Sequence, residues 1–208
     1  MTELISLIVA TYNREAALDA VFRAFGRQTD RKFELIVADD GSGPPTKRVV
    51  DAWSSAFPIK HVWHEDRGFR LAEIRNRAIV QSAGDYCVFL DGDCIPRPHF
   101  VAAHRRLAER GWFVAGNRAL MSPALTARVE NEKLTPELWS AAAWMAARLR
   151  GDINRLAPLI DLPLGFARKL QAGRWQSARG GNLAIWREDL DRVDGFDAAF
   201  SGWGREDS

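Results

Sequence analysis

The chain has 208 residues, of which 47% are hydrophobic, so it is long and apolar enough to bury the core of one substantial domain. Its 29 basic and 27 acidic residues nearly balance, which excludes the strong positive field expected of a nucleic-acid-binding protein. No stretch contains the ~18 consecutive apolar residues that span a bilayer, so only peripheral contact, at the inner face of a membrane, stays open.

The first part of the chain alternates short apolar runs with segments that carry apolar residues at helical spacing. Residues 5–10 predict a first strand, and an apolar stripe over residues 17–25 predicts the helix that follows, with Asn13 as its N-terminal cap. Residues 33–38 predict a second strand, and prolines after a glycine lead into a helix predicted over residues 46–57. This alternation is typical of βαβ units and predicts an α/β fold with a mostly parallel sheet.

The same alternation continues up to a strand that is apolar along its whole length. Residues 59–64 predict a third strand, residues 71–79 a helix, and residues 86–90 a fourth strand that is covered on both faces. Cys87 and Cys94 are the only cysteines, and in an extended segment they would lie roughly 23 Å apart, beyond the reach of a disulfide. Free thiols predict a reducing, cytoplasmic location.

Periodicity weakens in the second half of the chain. Residues 100–109 and 137–150 predict helices, and residues 113–116 predict a short strand. Prolines and glycines interrupt residues 151–176, which predict an irregular segment that orders as a lid over a site.

Polar clusters follow three of the predicted strands. They comprise residues 11–14, Asp39 with Asp40, and Asp91-Gly92-Asp93. One such cluster would be typical of an ordinary turn, but ligands of an open parallel sheet bind outside the carboxyl ends of its strands. Three clusters at strand ends therefore predict one binding site.

The third cluster carries the most specific chemistry. Asp91 and Asp93 are two residues apart, so in an extended chain both carboxylates project on one side, and Gly92 leaves room for a ligand at the backbone. Paired carboxylate oxygens suit Mn²⁺ or Mg²⁺, which keep coordination positions open for phosphate oxygens. The pattern predicts such a metal site, whose charge would neutralise a departing diphosphate.

The sequence resembles family 2 of the glycosyltransferases, which have the GT-A fold, and especially the bacterial β-galactosyltransferases and the chondroitin-polymerase type. The matching segments run in family order through residues 9–14, 39–42, 65–70, 75–78, 91–93, 180–184 and 202–207. The resemblance implies a single α/β domain with a Rossmann-like central sheet flanked by helices. It also implies a nucleotide-sugar-binding half over residues 1–116 and an acceptor-binding half over residues 117–208, which we expect to be truncated at its C-terminus.

The resemblance assigns a donor pocket. Its implied members are Thr11, Tyr12, Arg14, Asp39, Asp40, Asp66, Arg75, Asn76, Asp91 and Gly92. Carboxylates there can accept hydrogen bonds from uracil or ribose, and an arginine can bind phosphate. Asp91 would face the ribose or a bridging water, whereas Asp93 would bind the metal directly. For Arg75 the alternative is a solvated helix face shared with Arg77.

The resemblance places the acceptor end of the site near the C-terminus. Asp207 would be the general base that deprotonates the acceptor hydroxyl, and Glu206 would hold sugar hydroxyls. Trp203 would offer its ring to a sugar, while Gly204 would let the backbone come close. The alternative explanation is a set of acidic residues that complement the dipole of a helix N-terminus.

Two further features stay open at the level of sequence. Gly180 and Gly181 would contact the sugar or the diphosphate, or they would only mark a bulge. Many members of the family add a histidine to the metal site downstream of the segment that matches residues 203–207, a position beyond Ser208. The histidines within the chain have no metal-like spacing, and we interpret them as structural: His61, His64, His99 and His104.

Together these features predict a metal-dependent, inverting transferase that moves a hexose or N-acetylhexosamine from a UDP-sugar to a saccharide or glycolipid acceptor in the synthesis of a surface polysaccharide. Two other functions fit part of the pattern. A sugar-phosphate nucleotidyltransferase would have a glycine-rich phosphate loop after its first strand, and residues 9–14 contain no glycine. A non-catalytic carbohydrate-binding protein would not bind the nucleotide.

Overall fold

The computed structural model describes residues 3–160 and 181–199, and within them six strands form one sheet. The strands are β1 (Ile5–Thr11), β2 (Phe33–Asp39), β3 (Ile59–Trp63), β4 (Tyr86–Asp91), β5 (Val114–Ala115) and β6 (Asn182–Trp186). Their spatial order is β3-β2-β1-β4-β6-β5. The first four strands are parallel, whereas β6 runs antiparallel to both β4 and β5.

Helices connect and cover these strands. The α-helices of the described residues are α1 (Glu15–Phe25), α2 (Pro44–Trp53), α3 (Leu71–Gln81), α4 (Phe100–Leu107), α5 (Pro123–Asn131), α6 (Ala141–Leu149) and α7 (Arg187–Arg192). Short 3₁₀ turns lie at Pro136–Leu138 and Ala157–Leu159. Among the helices of the described residues, none is long and apolar enough to cross a membrane.

The central strands are buried on both faces, which explains why they are continuous apolar runs in the sequence. Every residue of β1 and β2 is buried. One face of the sheet packs against Leu18 and Phe22 of α1, and the other packs against Ile74 and Ala78 of α3. The core therefore consists of one apolar layer on each side of the sheet.

A third, smaller apolar cluster attaches the second half of the chain to α1. Leu125 and Val129 of α5, Trp144 of α6 and Ile153 pack there with Ala20. We call this group the satellite cluster. It holds α5 and α6 against α1.

The structure confirms the predicted α/β fold and corrects one detail of its first half. The prediction that Asn13 caps α1 is wrong, because Arg14 occupies the N-cap position. Asn13 instead adopts φ 48°, and its Oδ1 accepts a hydrogen bond from the Gly43 N–H at 2.9 Å. Asn13 thus ties the end of β1 to the turn after β2. The helix predicted over residues 46–57 is α2, which begins at Pro44 because its two prolines suit a first helical turn, and which ends at Trp53, before the predicted end.

The second half departs further from its predictions. The helix predicted over residues 137–150 is wrong in its first part, because the 3₁₀ turn at Pro136–Leu138 ends before Ser140 caps α6. The strand predicted over residues 113–116 shortens to β5. The lid predicted over residues 151–176 lies only partly within the described residues, where it contains the second 3₁₀ turn. Both cysteines are free, as predicted.

Candidate active site

A cleft of about 1540 Å³ opens at the carboxyl ends of the parallel strands. It is larger than the roughly 300–1,000 Å³ typical of a site for one small molecule. One wall consists of the ends of β1, β2 and β4, with Thr11, Asp40 and Asp91 among its residues. A second part of the lining consists of residues 116–121 and parts of α5 and α6. The structure therefore brings residues from all three polar clusters to one place.

The register of the sheet aligns these strand ends. Thr11 lies opposite Asp39, and Ala10 lies opposite Asp91. The Gly92 N–H donates to the Ala10 carbonyl at 2.7 Å, and a Cβ at residue 92 would lie 2.7 Å from that same oxygen. The close approach of two strand ends therefore requires this glycine before any ligand is considered. Its role toward a ligand stays a prediction.

Asp91 ends β4 between two arginines. Its Oδ2 accepts a hydrogen bond from Arg118 Nη1 at 2.8 Å, and its Oδ1 lies 3.4 Å from Arg75 Nη2. Arg75 is buried, with its guanidinium 5.5 Å from the ring centre of Phe196, so the alternative of a solvated helix face is wrong for this residue. Burial raises the pKa of the Asp91 carboxyl and the charge of Asp93 adds to the rise, while the two arginines oppose it.

Asp91, Asp93 and Cys94 form a compact cluster in which one ligand atom from each residue lies within 4.8 Å of the others. Burial, followed by the charges of the two carboxylates, raises the pKa of the Cys94 thiol to about 12. In the metal-free protein this thiol is therefore protonated at neutral pH. Asp91 and Asp93 supply hard carboxylate oxygens, and these donors fit Mn²⁺ or Mg²⁺.

The turn after β2 packs against the segment that carries Asp66. Gly41 has φ 98°, and a Cβ there would lie 2.6 Å from the Asp66 Cα. The Tyr12 hydroxyl donates to Asp66 Oδ2 at 2.8 Å, and the Gly68 N–H donates to Asp66 Oδ1 at 3.1 Å. These two hydrogen bonds lower the pKa of the Asp66 carboxyl. Tyr12 and Asp66 thus form one polar edge of the cleft.

Two histidines that we interpreted from the sequence as structural hold Asp39 and Asp40 at the end of β2. His61 Nε2 lies 2.8 Å from Asp39 Oδ2, and His64 Nε2 lies 2.6 Å from Asp40 Oδ1. Backbone N–H groups donate to the other oxygen of each carboxylate. Asp40 lines the cleft, whereas Asp39 is not among its lining residues. Strand register could have revealed the contact between His61 and Asp39. Asp39 pairs with Trp63, and His61 lies on the same face of β3 as Trp63.

The other predicted donor residues divide between the cleft and its support. Arg14 lines the cleft and pairs with Glu130 of α5 at 3.3 Å. Asn76 is not among the lining residues. Its side-chain amide donates to the Phe196 carbonyl at 2.8 Å and accepts from the Phe196 N–H at 2.9 Å. These contacts join α3 to the segment after α7, and the donor role of Asn76 stays a prediction.

Gly181 lies immediately before β6 and beside the ion pair of Asp91 with Arg118. A Cβ at residue 181 would lie 2.6 Å from Asp91 Oδ2 and would also meet Arg118 Nη1. The glycine therefore makes space for this ion pair, and its contact with a sugar stays a prediction. The remaining predicted acceptor residues lie outside the described part of the chain: Gly180, Trp203, Gly204, Glu206 and Asp207.

Arg118 is a site residue that the sequence did not reveal. It follows β5, which is only two residues long, so no apolar run in the sequence indicates that the next loop faces the end of β4. The arginine and its carboxylate partner are 27 residues apart in the chain.

The fold and the cleft define an α/β protein with a candidate active site at the strand ends, where carboxylates and arginines meet. A family model described as glycosyl transferase family 2 matches residues 6–152, and a model described as the N-terminal domain of galactosyltransferase matches residues 167–208. The chain belongs to glycosyltransferase family 2.

Relatives of known function carry the same family relationship over nearly the whole chain. Validoxylamine A glucosyltransferase of Streptomyces hygroscopicus subsp. limoneus is 32% identical over 219 residues, which cover 98% of this chain and 46% of the relative. Chondroitin synthase of Pasteurella multocida is 27% identical over 226 residues, which cover 98% of this chain and 22% of the relative. The chain thus spans less than half the length of these relatives.

Solved structures agree in fold. The mannosyltransferase PcManGT from Pyrobaculum calidifontis, in complex with GDP-Man and Mn²⁺, superposes with a TM-score of 0.59 at 20% identity and covers 99% of this chain and 50% of its own. Glucosyl-3-phosphoglycerate synthase from Mycobacterium tuberculosis superposes with a TM-score of 0.50 at 24% identity and covers 90% of this chain and 58% of its own. Both likenesses support the GT-A fold.

Proposed function

We propose that the chain is the catalytic unit of a metal-dependent, inverting glycosyltransferase that moves a hexose or N-acetylhexosamine from a UDP-sugar to a saccharide acceptor. The observation that carries the proposal is the pair of carboxylates at the end of β4, Asp91 and Asp93, in a cleft that also contains Tyr12 and Asp66. Relatives named as a glucosyltransferase and as chondroitin synthases support transfer of a hexose-type unit.

The donor side of the cleft would bind the nucleoside through acceptors that are already fixed. Asp40 is held by His64, and Asp66 is held by Tyr12, so neither carboxylate has to be ordered when uracil or ribose arrives. Each carboxylate oxygen has a second lone pair for a ligand N–H or O–H group. Asp91 and Asp93 would hold Mn²⁺ or Mg²⁺, which supplies positive charge opposite the departing diphosphate.

The acceptor side would supply the proton transfer. Asp207 would take the proton of the acceptor hydroxyl, whose oxygen forms a bond to the anomeric carbon while the bond from that carbon to the diphosphate oxygen breaks. Glu206 and Trp203 would orient the acceptor ring, and Gly180 and Gly181 would contact the transferred sugar. A single displacement of this kind inverts the configuration at the anomeric carbon.

Two acceptor classes follow from the relatives. Similarity to chondroitin synthases and a hyaluronan synthase favours a growing saccharide or a glycolipid as the acceptor, and thus a role in surface polysaccharide synthesis. The higher identity to validoxylamine A glucosyltransferases favours a small acceptor such as the compound in that name. We place the reaction in the cytoplasm, at the inner face of the membrane for a glycolipid acceptor, because Cys87 and Cys94 are both free thiols.

A screen of UDP-sugars for Mn²⁺-dependent hydrolysis and transfer tests the proposal. Asp93→Ala should lose at least about 100-fold in kcat, because the metal site loses a carboxylate. Asp207→Asn should lose about 10²–10⁴-fold in kcat while the Kd for UDP stays the same, because only proton transfer is affected. Asp51→Ala is the control, since this exposed carboxylate of α2 pairs with Lys47 outside the cleft. Full activity in both site variants would contradict the assignment.

A further inference from the structure

Arg118 reaches the carboxylate cluster from a loop that is firmly held. Its backbone carbonyl accepts hydrogen bonds from Arg155 Nε at 3.1 Å and Nη2 at 2.9 Å. Two residues further, the Leu120 N–H donates to Asn154 Oδ1 at 2.9 Å. The side chain then extends from this fixed backbone into the cleft, where Nη1 lies 2.8 Å from Asp91 Oδ2. The loop thus holds the backbone of Arg118, while the ion pair with Asp91 holds its guanidinium.

The neighbouring residues leave space for the ion pair of Arg118 with Asp91. A side chain at residue 181 would displace Arg118 from Asp91, so the glycine there keeps the contact open. The Cys94 sulfur lies 3.8 Å from the same Nη1. The side chain of Arg118 nevertheless stays 44% exposed, so the guanidinium can be reached by a ligand in the cleft.

The two arginines beside Asp91 differ in their freedom to move. Arg75 is buried and its guanidinium lies 5.5 Å from the ring centre of Phe196, so packing restricts its movement away from Asp91. Arg118 has the more exposed side chain, and it occupies the oxygen of Asp91 that faces the loop after β5. A divalent ion on Asp91 and Asp93 would meet the positive charge of Arg118 directly, and like charges at contact distance repel. Metal and Arg118 therefore compete for Asp91 when no anion is present.

We propose that Arg118 exchanges its partner, pairing with Asp91 in the empty site and with the donor diphosphate when the nucleotide binds. The inference rests on the proposed function, because it needs a diphosphate in the cleft. A planar guanidinium binds phosphate oxygens through two parallel hydrogen bonds, so the diphosphate can replace the carboxylate as its partner. The exchange frees Asp91 for the metal and adds a second cation to the leaving group.

One substitution should therefore change two affinities in opposite directions. Arg118→Gln should bind Mn²⁺ alone about two- to fivefold more tightly than the wild type, because Asp91 loses a competing exposed cation. The same variant should bind UDP about tenfold more weakly in EDTA, where no metal contributes, because a charged hydrogen-bond donor to the phosphates is lost. Uridine, which has no phosphate, should bind both proteins equally.

Calorimetric titrations with Mn²⁺ alone, UDP in EDTA and uridine test the exchange. Arg192→Gln is the matched control, because Arg192 forms an exposed ion pair with Asp189 on α7, and all its affinities should equal those of the wild type. If Arg118→Gln only loosened the loop, it would bind both Mn²⁺ and UDP more weakly, and that result overturns the inference.

Unchanged UDP affinity or unchanged Mn²⁺ affinity in Arg118→Gln also overturns it, while the proposed function stands. A wild-type protein that binds neither UDP nor Mn²⁺ is a different result, because it removes the proposed function and the inference together.

Discussion

The region of the parallel strands β1–β4 with α1 and α3, called the parallel half below, fixes its helices differently from the satellite cluster. In the described contacts, α1 and α3 begin at Arg14 and Arg70 without a side-chain cap, and their apolar faces hold them against fully buried strands. By contrast, α5 and α6 begin at Ser122 and Ser140, whose hydroxyls accept hydrogen bonds from the first turns of their own helices. A large buried sheet positions a helix by packing. Beside a small apolar cluster, local hydrogen bonds fix the residue at which a helix begins.

The two walls of the cleft show the same difference. The strand-end wall follows from sheet register, which pairs Thr11 with Asp39 and Ala10 with Asp91. The part formed by residues 116–121 depends on individual side chains, such as Arg155, that bind the backbone of the loop around Arg118. Register is lost only cooperatively, whereas single side-chain contacts can be removed one at a time.

The largest effect on stability should come from the parallel half. Phe89→Ala should lower the free energy of unfolding by about 3–5 kcal/mol, because a fully buried ring of β4 is lost and leaves a cavity. Urea denaturation measures the change. Val80→Ala is the control, because this α3 side chain is 77% exposed, and its effect should stay within about 0.5 kcal/mol. Equal losses in the two variants would show that burial does not fix this half.

A smaller effect should appear where the two halves meet. His104 of α4 is buried, and its Nε2 lies 3.0 Å from Asn182 Oδ1 of β6. Burial lowers the pKa of His104 from 6.5 to about 4, so over this range the unfolded chain binds a proton that the native state does not. The contribution to stability is therefore present above pH 6.5 and is lost as the pH falls toward 4.

Between pH 7 and pH 5, the free energy of unfolding should thus fall by about 2 kcal/mol more in the wild type than in His104→Gln. The comparison of the two proteins cancels the titration of carboxylates that they share. Identical pH dependence in both proteins would show that His104 does not contribute to the change of unfolding free energy with pH.

The smallest effect should come from the start of α6. Ser140→Ala should cost about 1 kcal/mol of unfolding free energy, because the Ala143 N–H loses the hydroxyl that accepts its hydrogen bond. Faster hydrogen exchange at Ala143 should accompany the loss. Ser55→Ala is the control, because this exposed serine lies beyond the end of α2. Unchanged stability in Ser140→Ala would mean that packing fixes α6 as it fixes α1, and the contrast between the halves would disappear.

The sequence predicted what depends on local pattern. Buried parallel strands are continuous apolar runs, so β1, β2 and β4 and the polar clusters at their ends could be located in advance. Side-chain pairings between distant segments carry no such pattern. Asn13 was assigned to the nearest helix, yet its partner Gly43 is 30 residues away in the chain. The place of Arg118 in the site was missed for the same reason, since its partner Asp91 is 27 residues away in the chain.

The position of β6 has a consequence for biosynthesis. β6 lies between β4 and β5 in the sheet, although both precede it in the chain, and within the described residues β5 pairs with β6 alone. While a ribosome adds the residues between Asp91 and Asn182, the parallel strands can already assemble, but the outer edge of β4 has no partner. At ordinary translation rates this interval lasts roughly 5–20 s. During that time the nascent chain presents an open strand edge, which is a template for aggregation and a natural substrate for chaperones.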